Sequence, residues 1–492
     1  MGIIMKRITL LAGIVLTISG LFASQTFAAS GCVTAACDPV AAAVTACDPV
    51  AASPASAPAA DENSNPSADG AVPAPTDAAP AAPASADPAS CSPAAANNSG
   101  CLSAAPGCGS GAPRGCCDLF FGKLTKSLCD GVCWSGYMNG GYDTNFAGDR
   151  SNGLVDAWNN TTPAFNAVYI AAQKKAFTGG CGYDFGWGVD FMFGEDSRIF
   201  RSARGLDENW YTGHMYNPLT EAYDRPSYGF AMPQLYMEMA INNWSVKLGH
   251  FYGLLGYEGA TAPSRFFYTK GLTCAATPVS QTGVLATFNG FENLDVTLGW
   301  VNGWGNGFDN SEFGEGMVTG AFTYHMNKYA SIKYAFLAGT ADMAGVFGYW
   351  GPYDWAPIKG VGGAHSVVLD LHLTSALESV TTLHYVDFGL ASDPGQGSRA
   401  LILGEHLYYT INCCWKAGFR VEWMKDTVYS GGDSNTEVTS YAIGLNWHPA
   451  GNQNLYVRPE LRYDRAIGDL SDQALNGRVD QFTIGFDVML TF

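Results

Sequence analysis

The chain has 492 residues and a formal charge of −18, from 26 basic against 44 acidic side chains. Only 14% of residues are charged, against roughly a quarter in ordinary soluble domains, while 13% are aromatic and 59 are glycine. These figures exclude a chain disordered throughout and a nucleic-acid binder resting on basic patches, and the lack of an apolar run of about 18 residues beyond the extreme N-terminus excludes a helical membrane bundle.

Lys6 and Arg7 precede an apolar stretch, Ile8–Phe22, and small residues follow at Thr26 and Ala28. This order reads as a secretory signal peptide over 1–28, cleaved near Ala28. Lipidation at Cys32 is the alternative, lacking the usual Leu three residues before the cysteine. Residues 29–113 are rich in Ala, Pro and Ser, and 31–113 carry no Lys, Arg or aromatic residue. Such a stretch cannot bury enough surface to offset ordering entropy, so a disordered linker is expected.

Ten of the 14 cysteines lie between Cys32 and Cys133. In an exported chain they read as disulfides rather than as a zinc site, for which the vicinal pair Cys116-Cys117 is poorly spaced. The segment 114–133 carries Leu119, Phe120, Leu124 and Leu128 on one side of a short helix, which could cap a barrel or pack locally.

From Trp134 to Phe492 the pattern is alternation. Phe482, Ile484, Phe486, Val488, Leu490 and Phe492 fall on one face, with Thr483, Gly485, Asp487 and Thr491 on the other. Period-two stretches are expected near 135–143, 165–177, 183–193, 231–240, 244–251, 283–289, 294–301, 317–325, 330–338, 365–374, 379–388, 400–410, 414–425, 437–448, 454–464 and 480–492. Those at 379–388 and 400–410 alternate poorly, which keeps 14 or 18 strands open. Each is about ten residues long, enough for a tilted strand to cross a bilayer. Short connections alternate with long ones, as in an all-β, up-and-down antiparallel transmembrane barrel of about 16 strands. A soluble sandwich also alternates, but aromatic ends on the apolar face and charges of both signs on the polar face favour the membrane barrel.

The polar faces supply the expected channel-lining residues. The acids are Asp184, Asp190, Glu238, Asp295, Asp370, Glu422, Glu460, Asp464 and Asp487, and the bases are Lys247, Lys333, Lys416, Arg420, Arg458 and Arg462. The bases concentrate on 414–425 and 454–464, which predicts either a basic wall facing acidic ones or local pairing, such as Arg420 with Glu422. Asp370 and His372 share one strand face. A barrel hydrolase could use such a pair, but it would also need a nucleophile or second carboxylate arranged beside it, and the reading preferred is lumen wall, with no catalytic residue expected. No histidine pair has helical metal-ligand spacing and no glycine pair has nucleotide-loop context, so neither metal nor cofactor is implied.

Phe492 ends an alternating aromatic strand, which looks like the C-terminal membrane-insertion signal of outer-membrane barrels. The segments 229–251 (GFAMPQLYMEMAINNWSVKLGHF), 282–288 (TGVLATF), 418–423 (GFRVEW), 441–463 (YAIGLNWHPAGNQNLYVRPELRY) and 484–492 (IGFDVMLTF) resemble the putative β-barrel porin-2, OmpL-like family of bacterial outer membranes. The resemblance covers 134–492 and implies a porin-like barrel in the outer membrane of a Gram-negative-type bacterium.

The function expected from these readings is a channel for passive diffusion of small hydrophilic solutes. Inward acids outnumber inward bases, and 302–316 adds Asp309, Glu312 and Glu315, so weak cation preference follows. Replacing Lys416, Arg420, Arg458 and Arg462 with Gln should strengthen it. The alternative is a structural or adhesive envelope protein whose barrel anchors the tail to envelope material. Outer-membrane lipid, small solutes and copies of the chain in a homotrimer are the expected partners, and nucleic acid is not.

Overall fold

The computed structural model describes most of residues 131–492, apart from 147–162, 343–358 and shorter stretches within other loops, together with the pair Leu102–Ser103. The expected signal peptide, the linker 29–113 apart from that pair, the cysteine segment up to residue 130, and Asp309, Glu312 and Glu315 lie outside the described residues.

Sixteen strands form the wall: β1 (Cys133–Asn145), β2 (Ala164–Lys174), β3 (Tyr183–Gly194), β4 (Gly229–Ile241), β5 (Trp244–Tyr252), β6 (Ser280–Phe288), β7 (Leu294–Val301), β8 (Gly316–Asn327), β9 (Ala330–Asp342), β10 (Lys359–His372), β11 (Leu377–Leu390), β12 (Gln396–Asn412), β13 (Trp415–Ser430), β14 (Asp433–Trp447), β15 (Leu455–Gly468) and β16 (Asp480–Thr491). Each pairs antiparallel with its sequence neighbours, and β16 pairs with β1 from Thr483↔Asn145 to Thr491↔Tyr137. The barrel is closed, so no row of backbone donors and acceptors is left at an edge in lipid.

The seam is extended past β16, where Gly136 N–H donates to Phe492 O at 2.8 Å and Phe492 N–H donates to Gly136 O at 2.9 Å. Gly136 is dictated by close approach, because a Cβ there would stand 2.4 Å from Tyr169 O. In the turn between β4 and β5, Asn242 takes φ 51°, a left-handed conformation that Asn tolerates better than most residues.

Alternation has a single physical cause: the outer face meets lipid and the inner face meets the lumen. Met237, Met239, Val246, Leu248, Leu298, Val318, Leu383, Ile443 and Leu461 are exposed on the outside. Aromatics gather near the ends that carry short turns: Trp415 stacks on Trp447 with centroids 5.4 Å apart, and Trp244 meets Phe288 at 4.8 Å. Such aromatic girdles mark the membrane–water boundary.

All sixteen expected stretches are strands, but several are longer than alternation showed. β10, β12 and β13 begin or end several residues further toward the long-loop side of the barrel. There the inward side chains are also apolar: Val386, Phe388, Ile402, Met424 and Val438 are buried in one cluster with Trp304, Leu254, Leu255 and Leu272 from the loops. With both faces apolar, period two disappears. The same packing explains the weak pattern of β11 and β12, whose inward Val386 and Phe388 on β11 and Ile402 on β12 are buried in that cluster.

Candidate functional site

The 27 residues between β5 and β6 (253–279) fold into the barrel instead of projecting from it. Three consecutive aromatics dock on glycines of the inner wall. Phe266 lies over Gly418 of β13, where a Cβ would be 2.3 Å from its ring; Phe267 lies over Gly444 of β14, at 3.1 Å; Tyr268 lies over Gly485 of β16, at 3.0 Å. Replacing a side chain with hydrogen at these inward positions makes room for a ring, so the wall is shaped to receive the loop.

Charges then fasten it. Arg420 Nη1 donates to Glu258 Oε1 of the loop at 2.6 Å and to the Thr269 carbonyl at 3.1 Å, while its guanidinium lies 4.7 Å from the Phe267 ring centroid. Glu422 accepts from Leu272 N–H at 2.9 Å and Thr273 N–H at 3.4 Å, satisfying the first amides of the helical turn Leu272–Ala275. Glu460 accepts from the amide of Thr269 at 2.9 Å and from its hydroxyl. Arg462 donates to the Lys270 carbonyl at 2.5 Å and to Asp464 at 2.9 Å. Arg458 donates to the Ala262 and Arg265 carbonyls, both at 2.8 Å, and forks onto Asp487 at 2.8 and 2.5 Å. Glu258 also accepts from Gly271 N–H at 2.7 Å. Burial alone would raise its pKa, but the Arg420 charge, helped by that amide, holds it down at about 2.

The structure therefore divides the expected channel-lining residues into two groups. Arg420, Glu422, Arg458, Glu460, Arg462, Asp464 and Asp487 all face inward and are all buried. On β13 and β15 the three arginines are paired with carboxylates of the wall and of the loop, which is the local pairing of the two arrangements rather than an open basic wall. The quadruple Gln replacement would consequently loosen the loop as well as remove charge.

The second group lies toward the short-turn end of the lumen. Asp184 meets Lys174 at 2.9 Å, Glu238 accepts from the Ser245 hydroxyl at 2.5 Å, and Lys247 lies 4.0 Å from the Tyr236 ring centroid. Asp295 meets His325 at 2.9 Å, Asp370 stands 4.0 Å from His372, and Lys416 meets Glu378 at 3.2 Å. Lys333 is half-buried on the same inner face. Most of these side chains keep contact with solvent: the Asp370, His372 and Lys416 side chains are 32%, 51% and 36% exposed. Asp190 and Asp295 are exceptions, both buried, and Asp190 accepts from Gln173 at 2.9 Å, from Gln234 at 2.6 Å and from the Tyr169 hydroxyl.

Residues that sequence reading missed are explained by the same geometry. Glu258 and Thr269 belong to a loop with no periodicity. Glu378 falls one residue before the expected start of its strand, and Lys174 reaches Asp184 from a position that strict alternation places outside.

The family described as putative beta-barrel porin-2, OmpL-like matches residues 131–492. The chain belongs to this family. Among solved structures the porin-2 barrel is similar to in-vitro folded OmpT of Vibrio cholerae (10% identity, 73% of this chain and 97% of that one, TM-score 0.49). It is similar also to the trimer form of OmpT (10%, 73% and 99%, TM-score 0.44) and to the outer membrane channel DcaP of Acinetobacter baumannii (11%, 73% and 97%, TM-score 0.47). A comparison with curated proteins finds no match. The architecture is that of a porin-like outer-membrane barrel.

Proposed function

We propose that this barrel is an outer-membrane channel for passive diffusion of small hydrophilic solutes, with weak cation preference. The supporting observation is the row of solvent-contacting charges on the short-turn half of the lumen, below a loop that narrows the other half. That row holds the acids Asp184, Glu238, Asp370 and Glu378 against Lys247, Lys333 and Lys416, an acidic excess of one, while Lys174 and Asp295 are buried. A Debye length of about 8 Å at physiological salt screens so small an excess across a wide lumen, so selectivity is weak and grows at low ionic strength.

In this reading residues 1–28 direct export, Phe492 signals insertion, and copies of the chain assemble as a homotrimer. The direct test of selectivity is the reversal potential across a planar bilayer in a salt gradient. A small cation preference that rises in Lys416→Gln supports the reading. Anion preference in dilute salt overturns it.

A further inference from the structure

Four arginines meet around the inward loop, and three of them have a carboxylate partner. Arg420 is 2.6 Å from Glu258, Arg458 is 2.5 Å from Asp487, and Arg462 is 2.9 Å from Asp464. Arg265 is different. It is 6% exposed, and its Nε and Nη1 are shielded from solvent with no acceptor among the described residues. Glu258 is near enough to feel the Arg265 charge, but its oxygens are engaged by Arg420, Gly271 and Cys274. A buried guanidinium without a hydrogen-bonded counter-anion among the described residues is costly, and the other three show that such a partner is ordinarily supplied here.

The main chain at Arg265 is held on both sides. Its amide donates to Ala262 O at 3.3 Å, and its carbonyl accepts from Arg458 Nη1 at 2.8 Å. The side chain therefore projects from a fixed base, which lowers the entropy lost when it takes a ligand. Lys270, five residues on, brings a second positive charge to the same part of the loop, since both it and Arg265 act on Cys274.

We propose that the Arg265 guanidinium is a docking point, inside the barrel, for the oxyanion of a small carboxylate or phosphate solute. Such a site is local and saturable, and it coexists with weak cation preference because reversal potential reports the whole lumen. The proposal rests on the channel reading for how the solute arrives, whereas its test measures binding rather than flow.

The folded, detergent-solubilised full chain is titrated calorimetrically with inorganic phosphate, with acetate, and with acetamide as the uncharged counterpart of acetate. Phosphate and acetate should bind saturably with Kd on the order of 1 mM, and acetamide should not. Arg265→Gln should weaken phosphate binding about tenfold or more, the loss of one charge-assisted contact. Arg265→Lys should fall between, because an ammonium keeps the charge but not the fork. Equal phosphate affinity in wild type and Arg265→Gln, or no saturable binding by the wild type, overturns the proposal. Binding without conductance in a planar bilayer would instead remove the channel reading and leave the site standing.

Discussion

Arg420 is the residue on which the loop most depends, and its removal differs in kind from removal of its partner. In Arg420→Gln, the carboxylates Glu258, Glu422 and Glu460, now 2.6, 3.4 and 4.0 Å from guanidinium nitrogens, would share one buried region without the base that neutralises them. Breaking a buried pair by deleting one partner costs about 3–5 kcal/mol. In Glu258→Gln the amide oxygen still accepts from Arg420, and Glu422 and Glu460 still offset its charge. The loss is then closer to that of one hydrogen bond to a charged group, about 1.5–3 kcal/mol.

Trypsin reports the difference. Arg265 and Lys270 are 6% and 8% exposed in the seated loop, while Lys328 in the turn between β8 and β9 is exposed and serves as an internal reference. Relative to Lys328, cleavage at Arg265 and Lys270 should rise on the order of a hundredfold in Arg420→Gln, the equivalent of about 3 kcal/mol. It should rise clearly less in Glu258→Gln, and the double variant should fall below Arg420→Gln alone. Heat-modifiable migration on gels confirms that the barrel itself is folded. Arg420→Gln cleaved no faster than wild type, or more slowly than Glu258→Gln, would refute the latch.

The remaining predictions concern pH, packing and assembly. Because the folded pKa of Glu258 is lowered from 4.5 to about 2, its stabilisation of the seated loop is full above pH 4.5 and is lost as pH falls through about 2. Pepsin should cut the loop increasingly toward pH 2, and release already complete above pH 4.5 would contradict this. Gly418→Ala puts a Cβ 2.3 Å from the Phe266 ring, so the loop should be destabilised by about 1–3 kcal/mol. Trypsin cleavage at Arg265 should rise accordingly while the barrel stays folded. Deleting Phe492 removes two backbone hydrogen bonds at the β1–β16 seam, and the folded, heat-modifiable form recovered in outer membranes should decrease.

The strands were legible because lipid and lumen make opposite demands on successive residues, and every stretch where they do so was found. Legibility failed at the long-loop end, where Val386, Phe388 and Met424 face a packed interior and period two carries no signal. Within the site, Arg420 with Glu422 and Arg462 with Asp464 are two residues apart on one strand face, so their pairing is visible in sequence. Arg458 with Asp487 needs the β15–β16 register, in which the two stand directly opposite. Arg420 with Glu258 spans 162 residues and joins a strand to an aperiodic loop. Nothing local in the chain announces that contact, and it is the contact that turns a lumen wall into a latch.

Conductance tests the account most directly. Full-length wild-type protein and a variant with 256–276 replaced by a short Gly/Ser linker are reconstituted in planar bilayers. The account predicts stepwise currents from both, with larger steps from the loop-replaced variant. Folded wild-type protein that passes no current at any voltage, or step sizes unchanged when the loop is gone, would contradict a channel narrowed by residues 253–279.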